Sequence, residues 1–186
     1  MPGTKDVAVL IGSLRKESFN RKLAMALKRM SPDSLRLESV EIGGLPLYNQ
    51  DLEGDAAWAA FRERIARADA ILFVTPEYNR SVPAALKNAI DVGSRPHGRN
   101  VWDRKPAAIV TSTPGAIGGF GANHHLRQSM VFLNMPAMQQ PEAYIGQVDK
   151  LLSADGDIAN PGTREFLSKF LAAFADWIDR VGPKAP

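Results

Sequence analysis

The sequence predicts an α/β fold, doubly wound around a parallel sheet, and three observations carry the prediction. Short runs of aliphatic and β-branched residues alternate with segments of helical apolar spacing, in the order βαβ(loop)αβαβαβα. One run, Ala70-Ile71-Leu72-Phe73-Val74, is apolar without a break, as suits a strand covered on both faces. Over 7–20 a strand, a polar turn and a helix start follow one another directly. At 186 residues, 45% of them hydrophobic, the chain suits one domain over 1–186.

The first strand, Val7-Ala8-Val9-Leu10-Ile11, stops at Gly12. The helix after it, over 19–30, repeats Leu23, Ala24, Leu27 and Met30 at helical spacing until Ser31-Pro32-Asp33-Ser34 ends it. Residues 35–42 alternate as a second strand, and 43–54, with Pro46, Tyr48 and Asn49, read as a surface excursion. Asp55 caps a helix with Trp58, Phe61, Ile65 and Ala68 on one face, and Asp69 marks its exit. The third strand runs into Thr75-Pro76-Glu77-Tyr78-Asn79-Arg80. Ser81 is expected to cap the next helix, with Pro83 in its first turn and Val82, Leu86, Ala89 and Ile90 facing inward. Residues 94–104, holding Arg95, His97, Arg99, Trp102 and Arg104, read as a loop before a fourth strand at 106–110. A glycine-rich turn over 112–119 leads to a helix at 122–133 and a short fifth strand near 135–138. Residues 151–162 are polar and turn-rich. The last helix, over 163–181, stripes Leu167, Phe170, Leu171, Phe174, Trp177, Ile178 and Val181.

Composition excludes several chemistries. No cysteine is present, which removes disulfides, thiolate nucleophiles and cysteine metal sites. The three histidines, His97, His124 and His125, lack metal-ligand spacing, so no metal is expected. The net charge of +3 is spread along the chain, which favours an anionic small molecule and gives no sign of nucleic acid. No apolar run approaches a membrane span, and the cytoplasm is the expected location.

In a doubly wound sheet, ligands sit beyond the carboxyl ends of the strands, where the strand order reverses. Three loops meet there: 12–20, 75–80 and 112–119. In the first, Ser13, Ser18 and Asn20 offer donors and Arg15 a full charge beside a helix N-terminus, so a phosphate monoester fits. The turn is neither a Walker A nor Gly-x-Gly-x-x-Gly, because only Gly12 is present. Taken alone, Ser18 could simply cap the helix, with Ser13 and Arg15 solvated. The convergence of three such loops favours a ligand site.

At these residues the sequence resembles the NADPH-dependent FMN reductase family, in its quinone and chromate reductase branch. The matching stretches are Gly12-Ser13-Leu14-Arg15-Lys16-Glu17-Ser18-Phe19-Asn20, Thr75-Pro76-Glu77-Tyr78-Asn79 with Ser81-Val82-Pro83, Leu86-Lys87-Asn88-Ala89-Ile90-Asp91, and His125-Leu126-Arg127-Gln128. The likeness runs from about residue 7 to 181. It implies a flavodoxin-like three-layer α/β/α sandwich with a five-stranded parallel sheet in the order 2-1-3-4-5. It also implies bound FMN, NADPH or NADH as donor, quinones as acceptors with chromate as a side activity, and assembly as a homodimer or homotetramer. Carried over by motif, Ser13, Arg15, Ser18, Phe19 and Asn20 surround the FMN phosphate. Pro76, Glu77, Tyr78 and Asn79 border the isoalloxazine ring, and Ser112 and Gly115 cover another edge.

No residue is assigned as a catalytic acid or base, since the flavin performs the hydride chemistry. Glu77 has the chemistry of a base, but hydrogen-bond acceptance at its loop is the favoured reading. Relatives often carry an arginine soon after the glycine pair, where this chain has Phe120 and Gly121. Arg95, Arg99, Arg104 or Arg127 could supply that charge, although a surface or interface role is the simpler reading of each. His124 and His125 lie on the expected helix, and Glu142 and Tyr144, expected beyond the last strand, are interface candidates. The alternatives are a flavodoxin-like electron carrier, which the basic charge disfavours, and a dinucleotide-binding dehydrogenase with Glu38 or Glu41 on the ribose, which the missing glycines disfavour.

Overall fold

The computed structural model describes residues 3–182; residues 1–2 and 183–186, the two ends of the expected domain, lie outside the described residues. Five strands, β1 (Lys5–Ile11), β2 (Leu35–Val40), β3 (Ala70–Thr75), β4 (Ala107–Ser112) and β5 (Ala143–Ile145), form a sheet in the order β2-β1-β3-β4-β5. Every neighbouring pair is parallel, in the order the resemblance implies. The helices are α1 (Phe19–Met30), α2 (Ala56–Arg67), α3 (Ala84–Gly93), α4 (Phe120–Phe132), α5 (Val148–Leu151) and α6 (Pro161–Val181).

The pleat sorts each strand's residues between two cores. Val7, Val9 and Ile11 of β1 pack with Leu23 and Leu27 of α1 and with Leu167, Phe170 and Phe174 of α6. Ala8 and Leu10 face the other way, toward Trp58, Phe61 and Ile65 of α2 and Leu86 and Ile90 of α3. β3 and β4 are buried throughout, as the unbroken apolar run predicts. Because α1 leaves β1 on one face and α3 leaves β3 on the other, a crevice opens between their carboxyl ends. Among the described residues no helix is long and apolar enough to cross a membrane.

Several expectations need correction. The run 135–138 is not the fifth strand. It makes one bridge, Ala107 to Ala137, while Met135 and Met138 drop into opposite cores; the true fifth strand is three residues long and lies further on, at Ala143–Ile145. Tyr144 therefore lies within β5, not beyond the last strand. Ser81 does not cap α3, whose N-cap is Pro83; its hydroxyl is 2.8 Å from His125 Nδ1 instead. Trp102, placed in a loop, is fully buried and donates from Nε1 to the Ile90 carbonyl at 2.9 Å. Asp55 caps α2 as expected, accepting from the Ala57 and Trp58 N–H groups.

Candidate active site

The crevice is floored by hydroxyls and lipped by apolar side chains. On the first loop Ser13 and Ser18 are buried, while Leu14, Arg15, Lys16 and Glu17 are exposed. Ser18 Oγ accepts from the Arg21 N–H at 3.3 Å, so Ser18 is the N-cap of α1. No acidic residue stands in the first turn, and the N–H groups of Phe19 and Asn20 have no intrahelical partner there, as at any helix start. That end of α1 is electropositive.

Asn20 and Ser112, both expected to meet the cofactor, meet each other. Asn20 Nδ2 donates to the Ser112 carbonyl at 3.2 Å, and Ser112 Oγ donates to Asn20 Oδ1 at 2.9 Å. The pair is buried, and it locks the first loop to the exit of β4. Gly12 locks the same loop to β3: a Cβ there would stand 2.0 Å from Thr75 Oγ1.

The second loop closes as a tight turn. Tyr78 and Ser81 exchange backbone hydrogen bonds of 3.0 and 2.9 Å, with Asn79 and Arg80 both at positive φ, 49° and 64°. Asparagine tolerates that conformation; arginine carries a cost of about 1 kcal/mol. Glu77 reaches across to α4 and accepts from the Ala122 N–H at 3.0 Å, acting as the cap that Gly119 cannot provide. A Cβ on Gly121 would stand 2.7 Å from the Arg80 carbonyl oxygen and 2.9 Å from Glu77 Oε2, so this arrangement admits only glycine at 121.

The third loop lies on β5. Thr113 and Gly115 carbonyls accept from the Val148 and Gln147 N–H groups at 3.2 Å each, and Gly118, at φ 67°, has no room for a Cβ against the Tyr144 backbone. Leu14, Tyr78 and Ile117, one on each loop, and Phe120, the first residue of α4, are each about half exposed. Sequence reasoning left Phe120 without a role. Its ring centroid is 4.1 Å from that of His124 and 5.5 Å from that of Tyr144, whose hydroxyl is 3.2 Å from His124 Nε2.

Burial, and then the adjacent Glu142 carboxylate, push the Tyr144 phenol up to about 12, with Arg127 opposing. An acid held more tightly in the folded state stabilises it below the unfolded value of 10.0, and the contribution is lost as pH rises through about 12. The ultraviolet phenolate signal of wild type minus Tyr144→Phe is expected to titrate near 12. A midpoint at the ordinary tyrosine value would contradict the geometry.

The family model of the NADPH-dependent FMN reductases matches residues 6–150, the part of the chain that carries all five strands and all three loops. The chain belongs to that family. As an NADPH-dependent FMN reductase family member it is an oxidoreductase with FMN as cofactor and NAD(P)H as donor. It is similar to a quinone reductase from Pseudomonas putida, 61% identical over 175 residues, covering 92% of this chain and 94% of the relative. A 2-hydroxy-1,4-benzoquinone reductase from a Burkholderia species is 46% identical over 174 residues, covering 92% and 95%. Among solved structures, FerB of Paracoccus denitrificans, a flavoenzyme NAD(P)H:(acceptor) oxidoreductase, is 42% identical with a TM-score of 0.92, covering 97% of this chain and all of that one.

The residues present fit the family's cofactor. Buried hydroxyls and an electropositive helix end, with the Phe19 and Asn20 N–H groups left over by the Ser18 cap, suit a dianionic phosphate. The half-exposed apolar lip suits the edges of a flat ring system. Among the described residues no three His, Asp or Glu side chains gather as a metal site.

Proposed function

We propose that this protein, one domain over 1–186, is an FMN-dependent NAD(P)H:quinone oxidoreductase working in the cytoplasm. The observation that carries the reading is the union of three loops into one rim by Asn20–Ser112 and Glu77–Ala122, with phosphate chemistry at one end and an apolar lip at the other. Ser13, Arg15 and Ser18, with the N–H groups of Phe19 and Asn20, hold the FMN phosphate. The backbone of Pro76, Glu77 and Asn79 and of Gly115 borders the ring, and Tyr78 offers an aromatic face to whatever stacks on it. Asn20 and Ser112 side chains position the loops. When bound, FMN supplies the two-electron step, by which NAD(P)H and a proton reduce a quinone to its hydroquinone.

Donor and acceptor use the one open face in turn, which is ping-pong kinetics. Double-reciprocal plots against NADPH at several quinone concentrations are expected to be parallel; intersecting lines would contradict a shared face. Tyr78→Ala is expected to lower quinone kcat/KM about fivefold, the worth of one aromatic stack, with FMN retained. Equal loss of FMN would place Tyr78 on the cofactor instead. Chromate is a side acceptor in this reading.

The protein acts as a homodimer or homotetramer. A groove of about 640 Å³ along α3 and α4 is walled by Val82, Ile90 and Leu133. Phe132, at its rim, and the adjacent Val131 are 87% and 82% exposed. Such a knob next to such a groove suits a two-fold contact, and light scattering on Phe132→Glu against wild type tests it.

A further inference from the structure

A pyridine nucleotide brings phosphates as well as its nicotinamide, and a site that uses it gains from a cation beside the ring face. Topology disposes of the arginines that sequence reasoning put forward. Arg95 and Arg99 follow α3, which runs 10 residues from the carboxyl edge of the sheet, about 15 Å back toward the opposite edge. Arg104 precedes β4 and donates its N–H to the Asn134 carbonyl, beyond the far end of α4. Arg127 is tied to Asn123 Oδ1 and the Met138 carbonyl, both at 3.0 Å, with Glu142 at 3.7 Å.

Arg80 has none of these constraints on its side chain. Its backbone is held in the turn that carries Tyr78, with its carbonyl against Gly121, so the base of the side chain is fixed. The side chain itself is 74% exposed. Its ion-pair partner among the described residues is Glu77, 3.5 Å from Nη1 to Oε1, and the other oxygen of that carboxylate is committed to the Ala122 N–H. A long contact shared with a helix cap leaves most of the guanidinium's donors free.

We propose that Arg80 is the cation that takes a phosphate of the incoming NAD(P)H. The inference rests on the reading of the 75–81 loop as the border of the flavin ring, because a nicotinamide stacked beside Tyr78 brings its phosphates to the side chains of the same turn, of which Arg80 is the cation. The phosphate is either the pyrophosphate, common to both nucleotides, or the ribose phosphate of NADPH alone.

The test compares reduction of the FMN-loaded protein, by stopped flow, with NADH, NADPH and 1-benzyl-1,4-dihydronicotinamide, which delivers the same hydride without phosphate. In Arg80→Gln the efficiency with nucleotide, relative to the benzyl donor, is expected to fall about tenfold, and calorimetric affinity for NADP⁺ to fall with it. Arg80→Lys is expected to recover most of both. A fall with both nucleotides assigns the pyrophosphate, and a fall with NADPH alone assigns the ribose phosphate. An unchanged ratio for both nucleotides would overturn the proposal and leave the functional reading standing. Equal loss with all three donors would also overturn it, since Arg80 would then act on flavin or fold. A wild-type protein that none of the three reduces would overturn the functional reading itself.

Discussion

Gly12→Ala is expected to cost about 3 kcal/mol of stability and to strip the protein of FMN. The added methyl would stand 2.0 Å from Thr75 Oγ1, 2.7 Å from Thr75 Cβ and 3.3 Å from Leu86 Cδ2. Neither neighbour can step aside. Thr75 is fully buried on a central strand, with its hydroxyl bonded to the Pro76 carbonyl at 2.9 Å, and Leu86 is sealed in the core of α3. Relief comes only by parting the exits of β1 and β3, the two walls of the crevice. Denaturant melts of apoprotein and flavin absorbance of the purified variant read the two effects. Full FMN with unaltered stability would mean that the crevice is not where the strands interlock.

The double variant Arg15→Ala, Ser18→Ala separates binding from folding. Ser18 is the N-cap of α1 and, in the proposed site, also a phosphate donor, whereas Arg15 is exposed and makes no structural contact that the fold needs. Losing the cap costs about 1 kcal/mol, which a fold of this size survives. Losing one charge and one hydroxyl against a dianion is expected to weaken FMN about a hundredfold. Fluorescence titration of apoprotein with FMN measures it. Riboflavin, which lacks the phosphate, is expected to bind variant and wild type alike. Unchanged FMN affinity would move the phosphate elsewhere.

The sheet and the positions of its loops are readable from local pattern, because β1, β3 and β4 are buried on both faces and α1, α2 and α6 carry clear apolar stripes. The fifth strand is not. Three residues are too few to show a period, while the methionines of 135–138 are buried for packing and imitate a strand. Trp102 sits among arginines, glycine and asparagine, so composition reads loop; its burial follows from Gly93, whose missing side chain leaves room for the indole.

Within the site, residue types were legible and partners were not. Asn20 and Ser112 are 92 positions apart and Glu77 and Ala122 are 45 apart, so nothing local shows that they hydrogen-bond. The glycine at 121 looks like a lost arginine in sequence. In space it is the gap that lets Glu77 and the Arg80 turn close on α4.

The most direct measurement is the visible spectrum of the freshly purified, FMN-loaded protein, taken anaerobically before and after NADPH or NADH and again after one equivalent of a benzoquinone. The account predicts an oxidised flavin spectrum that bleaches within seconds of the nucleotide and returns in full on adding the quinone. A flavin that neither nucleotide bleaches would contradict it in favour of an electron carrier, and protein that takes up no FMN would contradict it at the root.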